Sequence, residues 1–106
     1  MASCRSSGVK TASAVINAGS CKLVSIHAVL TGTKPTTIKV FDNASAASGL
    51  ELARMIVAQT DPTDPAARTG PEMMEFDMHG ALATNGLYLE ISTGTGLGAA
   101  VSVEFS

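Results

Sequence analysis

The sequence predicts an all-β protein, an antiparallel β-sandwich of about seven to eight strands in a single domain over residues 1–106. Apolar and polar residues alternate with period two along most of the chain, which is typical of half-buried strands. Clusters of Gly, Pro, Asn and Asp separate these segments and supply the backbone angles that turns need. A chain of this length can bury one modest core, which excludes enzymes built from two catalytic domains.

The N-terminal part of the chain, residues 1–20, is interpreted as an arm followed by a first weak strand. We expect the strand over residues 9–16, where Ala, Ser and Thr are frequent and the alternation is shallow. The sequence Asn-Ala-Gly-Ser at 17–20 ends it, because Asn and Gly readily adopt turn geometry.

Two stronger strands are expected next. Residues 24–30 carry an apolar residue at every second position, and a turn containing Gly and Pro follows at 31–35. Residues 37–41 alternate Thr and Lys with Ile38 and Val40. The apolar face of the first of these strands consists of Val24, Ile26, Ala28 and Leu30.

The segment 44–58 is compatible with two structures. A strand over 51–59 would alternate its side chains between two faces, and a helix over the same residues would also have an apolar face. The positions that support the helix are Leu50, Ala53, Arg54 and Val57. We prefer the strand, and the helix remains an alternative.

Three further strands are expected over 74–79, 87–91 and 99–105, each with apolar residues at every second position. Before them, residues 60–71 are rich in Pro, Asp and Gly, which predicts a stiff exposed loop. The glycine-rich segment 94–98 separates the last two strands.

Composition narrows the classes of partner. Seven Lys and Arg balance nine Asp and Glu, and no basic stripe is available to neutralise phosphates, so a nucleic acid partner is not expected. No apolar segment is long enough to span a bilayer and no basic amphipathic helix is evident, so no membrane partner is expected either. The first residues carry no secretory signal, so we expect synthesis in a cytoplasm.

Two cysteines, Cys4 and Cys21, are too few for a disulfide scaffold. We expect reduced thiols, with a pairing across adjacent strands as the alternative.

The glycine-rich segment also raises the question of a cofactor. Residues 94–99 read Gly-Thr-Gly-Leu-Gly-Ala, which matches the dinucleotide-binding pattern G-x-G-x-x-[GA]. That motif requires a following helix whose N-terminus faces the pyrophosphate. The residues after Ala99 alternate like a strand, so we interpret the segment as a hairpin loop and expect no cofactor.

A possible metal site lies in the strand expected over 74–79. Glu75, Asp77 and His79 project from one face of it and could act as metal ligands. Residues i and i+4 of a strand lie about 13 Å apart, so the outer two cannot share one ion without a partner strand. The preferred interpretation is a solvated polar face, and no catalytic residue is expected.

Two of the expected strands, those over 24–30 and 51–59 with their flanking residues, are apolar on both faces. In a sandwich, an outward apolar face requires a covering loop or another subunit. The low charged fraction of 15% favours a subunit, because few charges would need to be desolvated. We therefore predict contacts with another subunit at the positions expected to point outward, which are Leu23, Val29, Met55 and Val57.

Several strand-and-turn motifs resemble those of small bacteriophage virion proteins with a jelly-roll-like β-sandwich. The motifs are Leu-Val-Ser-Ile-His at 23–27, Ile-Lys-Val-Phe-Asp at 38–42, Gly-Leu-Tyr-Leu-Glu-Ile at 86–91 and Val-Ser-Val-Glu-Phe at 101–105. The resemblance covers most of residues 21–106.

The resemblance implies a non-enzymatic structural protein of the virion, foremost a capsid cement or decoration protein. Its partners would be copies of itself, in a homotrimer, and the major capsid protein or another virion protein. A tail, adaptor or host-recognition component is the alternative within the virion. A small metal-binding protein using Glu75, Asp77 and His79 is the alternative outside it.

Overall fold

The structure, a computed structural model, describes residues 4–58 and 73–106, which form two four-stranded antiparallel sheets. Eight strands are present within these ranges. Their bounds are β1 Arg5–Ser6, β2 Ala14–Asn17, β3 Cys21–Leu30, β4 Thr36–Asp42, β5 Leu50–Val57, β6 Met73–Ala83, β7 Leu87–Ile91 and β8 Ala99–Phe105.

The strand order defines a jelly roll. Sheet A has the order β1-β8-β3-β6 and sheet B the order β2-β7-β4-β5. Except for β4 and β5, strands that follow one another along the chain lie in opposite sheets, which is the double Greek-key arrangement of the jelly roll. The predicted all-β antiparallel sandwich is confirmed.

Element boundaries differ from the sequence-based expectations near the N-terminus and in β6, which spans Met73–Ala83 where a strand over 74–79 was expected. The weak strand expected over 9–16 is β2, shifted to Ala14–Asn17, and the two-residue β1 was not predicted. The segment 44–58 contains strand β5, so the strand interpretation is confirmed and the helical alternative is wrong. The loop expected over 60–71 lies outside the described residues.

The glycine-rich segment 94–98 is a loop between strands, as expected, and no helix follows it. It is not a hairpin, because β7 belongs to sheet B and β8 to sheet A. The loop is hydrogen-bonded to the β3–β4 loop: the N–H of Thr33 donates to the carbonyl of Gly96 at 2.7 Å. A Cβ added at Gly32 would collide with the same Gly96 carbonyl oxygen, so the close approach of the two loops requires glycine.

The core lies between the two sheets and is lined by alternate residues of the long strands. The buried apolar residues include Leu23, Ile26 and Ala28 of β3, Ile38 and Val40 of β4, Met55 and Val57 of β5, Leu87, Leu89 and Ile91 of β7, and Val101, Val103 and Phe105 of β8.

A β-bulge in β3 reverses the predicted orientation of Leu23. On the neighbouring β8, Leu23 pairs with Phe105 and Ser25 pairs with Glu104, so Val24 is an extra residue. Side chains therefore change faces at Val24, and Leu23 points into the core with none of its surface exposed. The prediction that Leu23 is an outward contact residue is wrong, whereas Val29, beyond the bulge, points outward as predicted.

A second bulge accompanies the reversed orientation of β5. Val40 pairs with Ala53 and Phe41 pairs with Glu51, which leaves Leu52 as the extra residue. Beyond it, Met55 and Val57 pair with Ile38 and Thr36, whose side chains are buried, so both residues point into the core. The predicted outward contacts at Met55 and Val57 are wrong.

A buried carboxylate organises the end of the sandwich that lies opposite the β3–β4 loop. Asp42, at the end of β4, accepts four hydrogen bonds from the β6–β7 turn. Three donors are the backbone N–H groups of Thr84, Asn85 and Gly86, at 3.1, 2.7 and 3.3 Å, and the fourth is the Thr84 hydroxyl at 2.8 Å. The Asn85 hydrogen bond is the first cause that holds the pKa of Asp42 below its ordinary value.

The loop between β4 and β5 at 43–49 is held by Asn43. Its side-chain oxygen accepts hydrogen bonds from the backbone N–H groups of Ser45 and Ala46, at 2.8 and 3.0 Å. Its amide nitrogen donates to the carbonyl of Ser48 at 3.2 Å. Residues 45–49 are exposed, so the loop is an Asn-stabilised turn that projects from the end of the sandwich.

Candidate interaction surface on sheet A

The outer face of sheet A carries three cross-strand rows that run over β6, β3 and β8. We call this set of residues the outer A face. From the middle of β3 toward its C-terminal end, the rows are Asp77–Ser25–Glu104, Glu75–His27–Ser102 and Met73–Val29–Ala100.

The third row is apolar and exposed. Val29 is 45% exposed and Met73 is 68% exposed, and the two are paired directly across β3 and β6. Large apolar side chains at such exposure gain free energy when a partner covers them. Sequence reasoning identified Val29 but missed Met73, because the expected strand began at residue 74, whereas β6 begins at Met73.

The second row is centred on His27. Its Nδ1 lies 3.3 Å from a carboxylate oxygen of Glu75, and its Nε2 lies 3.4 Å from one of Glu104. A neutral imidazole has one N–H and can donate to one of these carboxylates, whereas a protonated ring can donate to both. The side chain thus connects the three strands of the outer A face.

Ser25, His27 and Glu75 stand in the order of a nucleophile, base and carboxylate, a juxtaposition that the sequence did not reveal. The Ser25 hydroxyl oxygen lies 3.5 Å from His27 Nε2, at the limit of a hydrogen bond, and Glu104 competes for the same nitrogen. Because β3 is paired on both sides, its backbone N–H groups here serve the ladders with β6 and β8 rather than a developing oxyanion. The geometry therefore favours a surface polar network over catalysis.

The three residues weighed as metal ligands lie where the alternation predicted, exposed on the outer side of β6. Glu75 turns toward His27, while His79 Nδ1 lies 3.6 Å from Asp77. Within residues 4–58 and 73–106, no three His, Cys, Asp or Glu side chains form a group that could hold a metal ion.

The two cysteines are free thiols in different surroundings. Cys4 is exposed, whereas Cys21 is buried in the core. Burial raises the pKa of the Cys21 thiol, which keeps it protonated and weakly nucleophilic.

Within the described residues, fold and surface define the class of this protein as a jelly-roll β-sandwich of eight strands with an exposed apolar row on one sheet. The chain matches no family model, no curated protein and no solved structure. Among the residues that the structure describes, there is no helix with the length and apolarity needed to cross a membrane.

Proposed function

We propose that this chain is a non-enzymatic structural protein of a bacteriophage virion, a cement protein that associates with copies of itself and with the capsid. The observation that carries the proposal is the exposed Met73–Val29–Ala100 row on the outer A face. Three of the four contacts predicted from the sequence belong to the core, so the proposed contact surface rests on Val29 and its cross-strand neighbours.

The mechanism of such a protein is mass action. A protein that binds the assembled shell but not its separated subunits stabilises the shell by its binding free energy. Many copies on one particle multiply this effect, and contacts between copies add avidity. The Met73–Val29–Ala100 row carries no charge, so covering it desolvates none.

The jelly-roll fold is compatible with the proposal. Jelly rolls are common in viral capsid proteins, but they also occur in lectins and cupins, so topology by itself does not assign a function. The same surface would serve a tail or adaptor component. Locating the protein in an image reconstruction of the particle distinguishes a shell position from a tail position.

The first prediction concerns Val29. Replacing Val29 with Glu places a charge in the middle of the apolar row, and we expect the purified protein to change from an oligomer, a trimer in our proposal, to a monomer. Light scattering at matched concentrations measures the mass. Stability should be nearly unchanged, because Val29 lies outside the core.

The matched control is Ile56→Glu. Ile56 is 45% exposed, as Val29 is, but it lies on β5 of sheet B. This variant should remain an oligomer and should still sediment with isolated capsid shells, as the unmodified protein does. An unmodified protein that is monomeric and fails to sediment with shells contradicts the proposed function.

A further inference from the structure

The first described residues form a segment that is hydrogen-bonded to β8 at the edge of sheet A. We call residues 4–10 the leading segment. It runs along β8, where Arg5 and Ser6 pair with Phe105 and Glu104. Lys10 and Val101 then exchange two backbone hydrogen bonds, at 2.7 and 2.8 Å.

Ser7 completes the attachment between these two points. Its N–H donates to the carbonyl of Val103 at 2.8 Å, and its hydroxyl oxygen accepts from the N–H of Val103 at 2.9 Å. The leading segment is therefore held mainly by the peptide groups of β8.

Side chains contribute little to this attachment. No residue of the leading segment is buried, and Val9, its one large aliphatic side chain, is 71% exposed. Besides the Ser7 hydroxyl, the side-chain contact with β8 is that of the Arg5 guanidinium, which lies 5.2 Å from the centre of the Phe105 ring. Detaching the segment would leave the core between the sheets intact.

The edge of sheet A that the leading segment covers is strand β8, which is held more firmly than the segment. The inner side chains of β8, including Val101, Val103 and Phe105, are buried, so this strand is fixed in place. Its peptide groups toward the leading segment need hydrogen-bond partners whenever the segment is absent. An identical segment from a second copy would satisfy them in the same register, which is the general basis of strand exchange.

We propose that the leading segment is exchanged between copies in the assembled protein, so that residues 4–10 of one copy pair with β8 of its neighbour. The inference rests on the proposed function, because it requires a homo-oligomer. β8 also contributes Ala100 to the outer A face, so the exchanged segment and the apolar row would adjoin the same strand. The positive φ of 71° at Gly8 gives the segment a bend that few other residues would allow.

The test uses cysteine pairs in a Cys4→Ser background. Ser6 and Glu104 are directly paired, and antiparallel partners lie within the Cα separation that a disulfide needs. One chain carries Ser6→Cys and a second, tagged to differ in mass, carries Glu104→Cys. The two are co-expressed and oxidised, and we expect a disulfide between the two different chains on a non-reducing gel.

Two controls fix the interpretation. Val9→Cys replaces Ser6→Cys in the matched control, because Val9 has no pairing with position 104, and this pair should give little cross-linking. A single chain with both Ser6→Cys and Glu104→Cys must form a disulfide whether the segment is exchanged or not, which shows that both variants fold with the cysteines in register.

The outcomes separate the two proposals when the mass is measured by light scattering in parallel. An oligomer whose single-chain variant closes only on itself, with no cross-linking between chains above the Val9→Cys control, overturns the exchange and leaves the oligomer. A monomer overturns the exchange, and a monomer that also fails to sediment with capsid shells overturns the proposed function as well. Cross-linking between chains that occurs with Ser6→Cys and Glu104→Cys, and not with Val9→Cys and Glu104→Cys, supports the exchange.

Discussion

Replacing Leu23 with alanine is expected to lower the free energy of unfolding by about 3 kcal/mol, the usual effect of emptying a fully buried leucine site. Leu23 has no exposed surface in the structure, because the bulge at Val24 turns it inward. Urea denaturation followed by circular dichroism measures the change. The alternation of the sequence alone predicts the opposite, an outward Leu23 that tolerates truncation.

Val29→Ala is the matched control in the same strand. Val29 is outward and exposed, so its truncation should change the free energy of unfolding by about 0.5 kcal/mol or less. Equal effects of the two substitutions, measured under conditions that keep the protein monomeric, would contradict the bulge and the assignment of Leu23 to the core.

Replacing Asp42 with asparagine should produce the second large effect. The amide offers one acceptor oxygen where the carboxylate offers two, so donors of the Thr84–Gly86 turn lose their partner. Hydrogen bonds to a charged and buried acceptor contribute more than neutral ones, and we expect the Tm at neutral pH to fall by roughly 10 °C when they are lost. Scanning calorimetry measures this shift.

Because of the Asp42 carboxylate, we also expect the stability of the fold to depend on pH in the acid range. Its pKa in the folded protein is lower than its ordinary value of 3.8, so folding favours the ionised form. The stabilisation is fully present above the ordinary value and is lost as the pH falls through the lowered pKa. The Tm difference between the unmodified protein and Asp42→Asn should therefore be constant near neutral pH and shrink below about pH 4.

Glu51→Gln is the control for this pH dependence. Its side-chain hydrogen bonds with Arg54 lower the pKa of Glu51 as well, but the pair lies at the surface, where ion pairs contribute little. This variant should keep most of the acid dependence of the unmodified protein. A Tm difference for Asp42→Asn that is the same at acid and neutral pH would show that the Asp42 charge does not support the turn.

The long strands of the fold could be predicted because they obey period two over most of their length. β7 and β8 alternate without interruption, as β4 does up to Val40, and their inner residues, such as Ile38, Leu89 and Val101, are those that the pattern selects. β1 could not be predicted, because a two-residue strand held by backbone hydrogen bonds leaves no hydropathy pattern.

The sequence-based prediction of side-chain orientation failed at the two bulges for a physical reason. An extra residue changes the face of every side chain on one side of it, and Leu23-Val24 and Leu52-Ala53 contain no polar residue that marks the change. A signal was present in β5: Arg54 occupies the face assigned to the core, and a charged residue belongs outside. In β6, His79 with a φ of 54° precedes Gly80 with a φ of 77°. A glycine within an otherwise regular strand can indicate such an irregularity.

The candidate surface was only partly predictable. Alternation placed Glu75 and His79 outside correctly, and it identified Val29. It could not show that Glu75 and Glu104 flank His27 or that Met73 adjoins Val29, because these neighbours come from strands far apart in the sequence and depend on register.

The Asn43 turn has a practical consequence. The exposed residues between Ala46 and Ser48 lie outside every strand ladder, and lengthening a flexible loop adds little entropic penalty. A foreign peptide grafted there would project from the end of the molecule, away from the outer A face. If many copies cover a particle, as proposed, this turn becomes a site for dense epitope display that leaves the outer A face undisturbed.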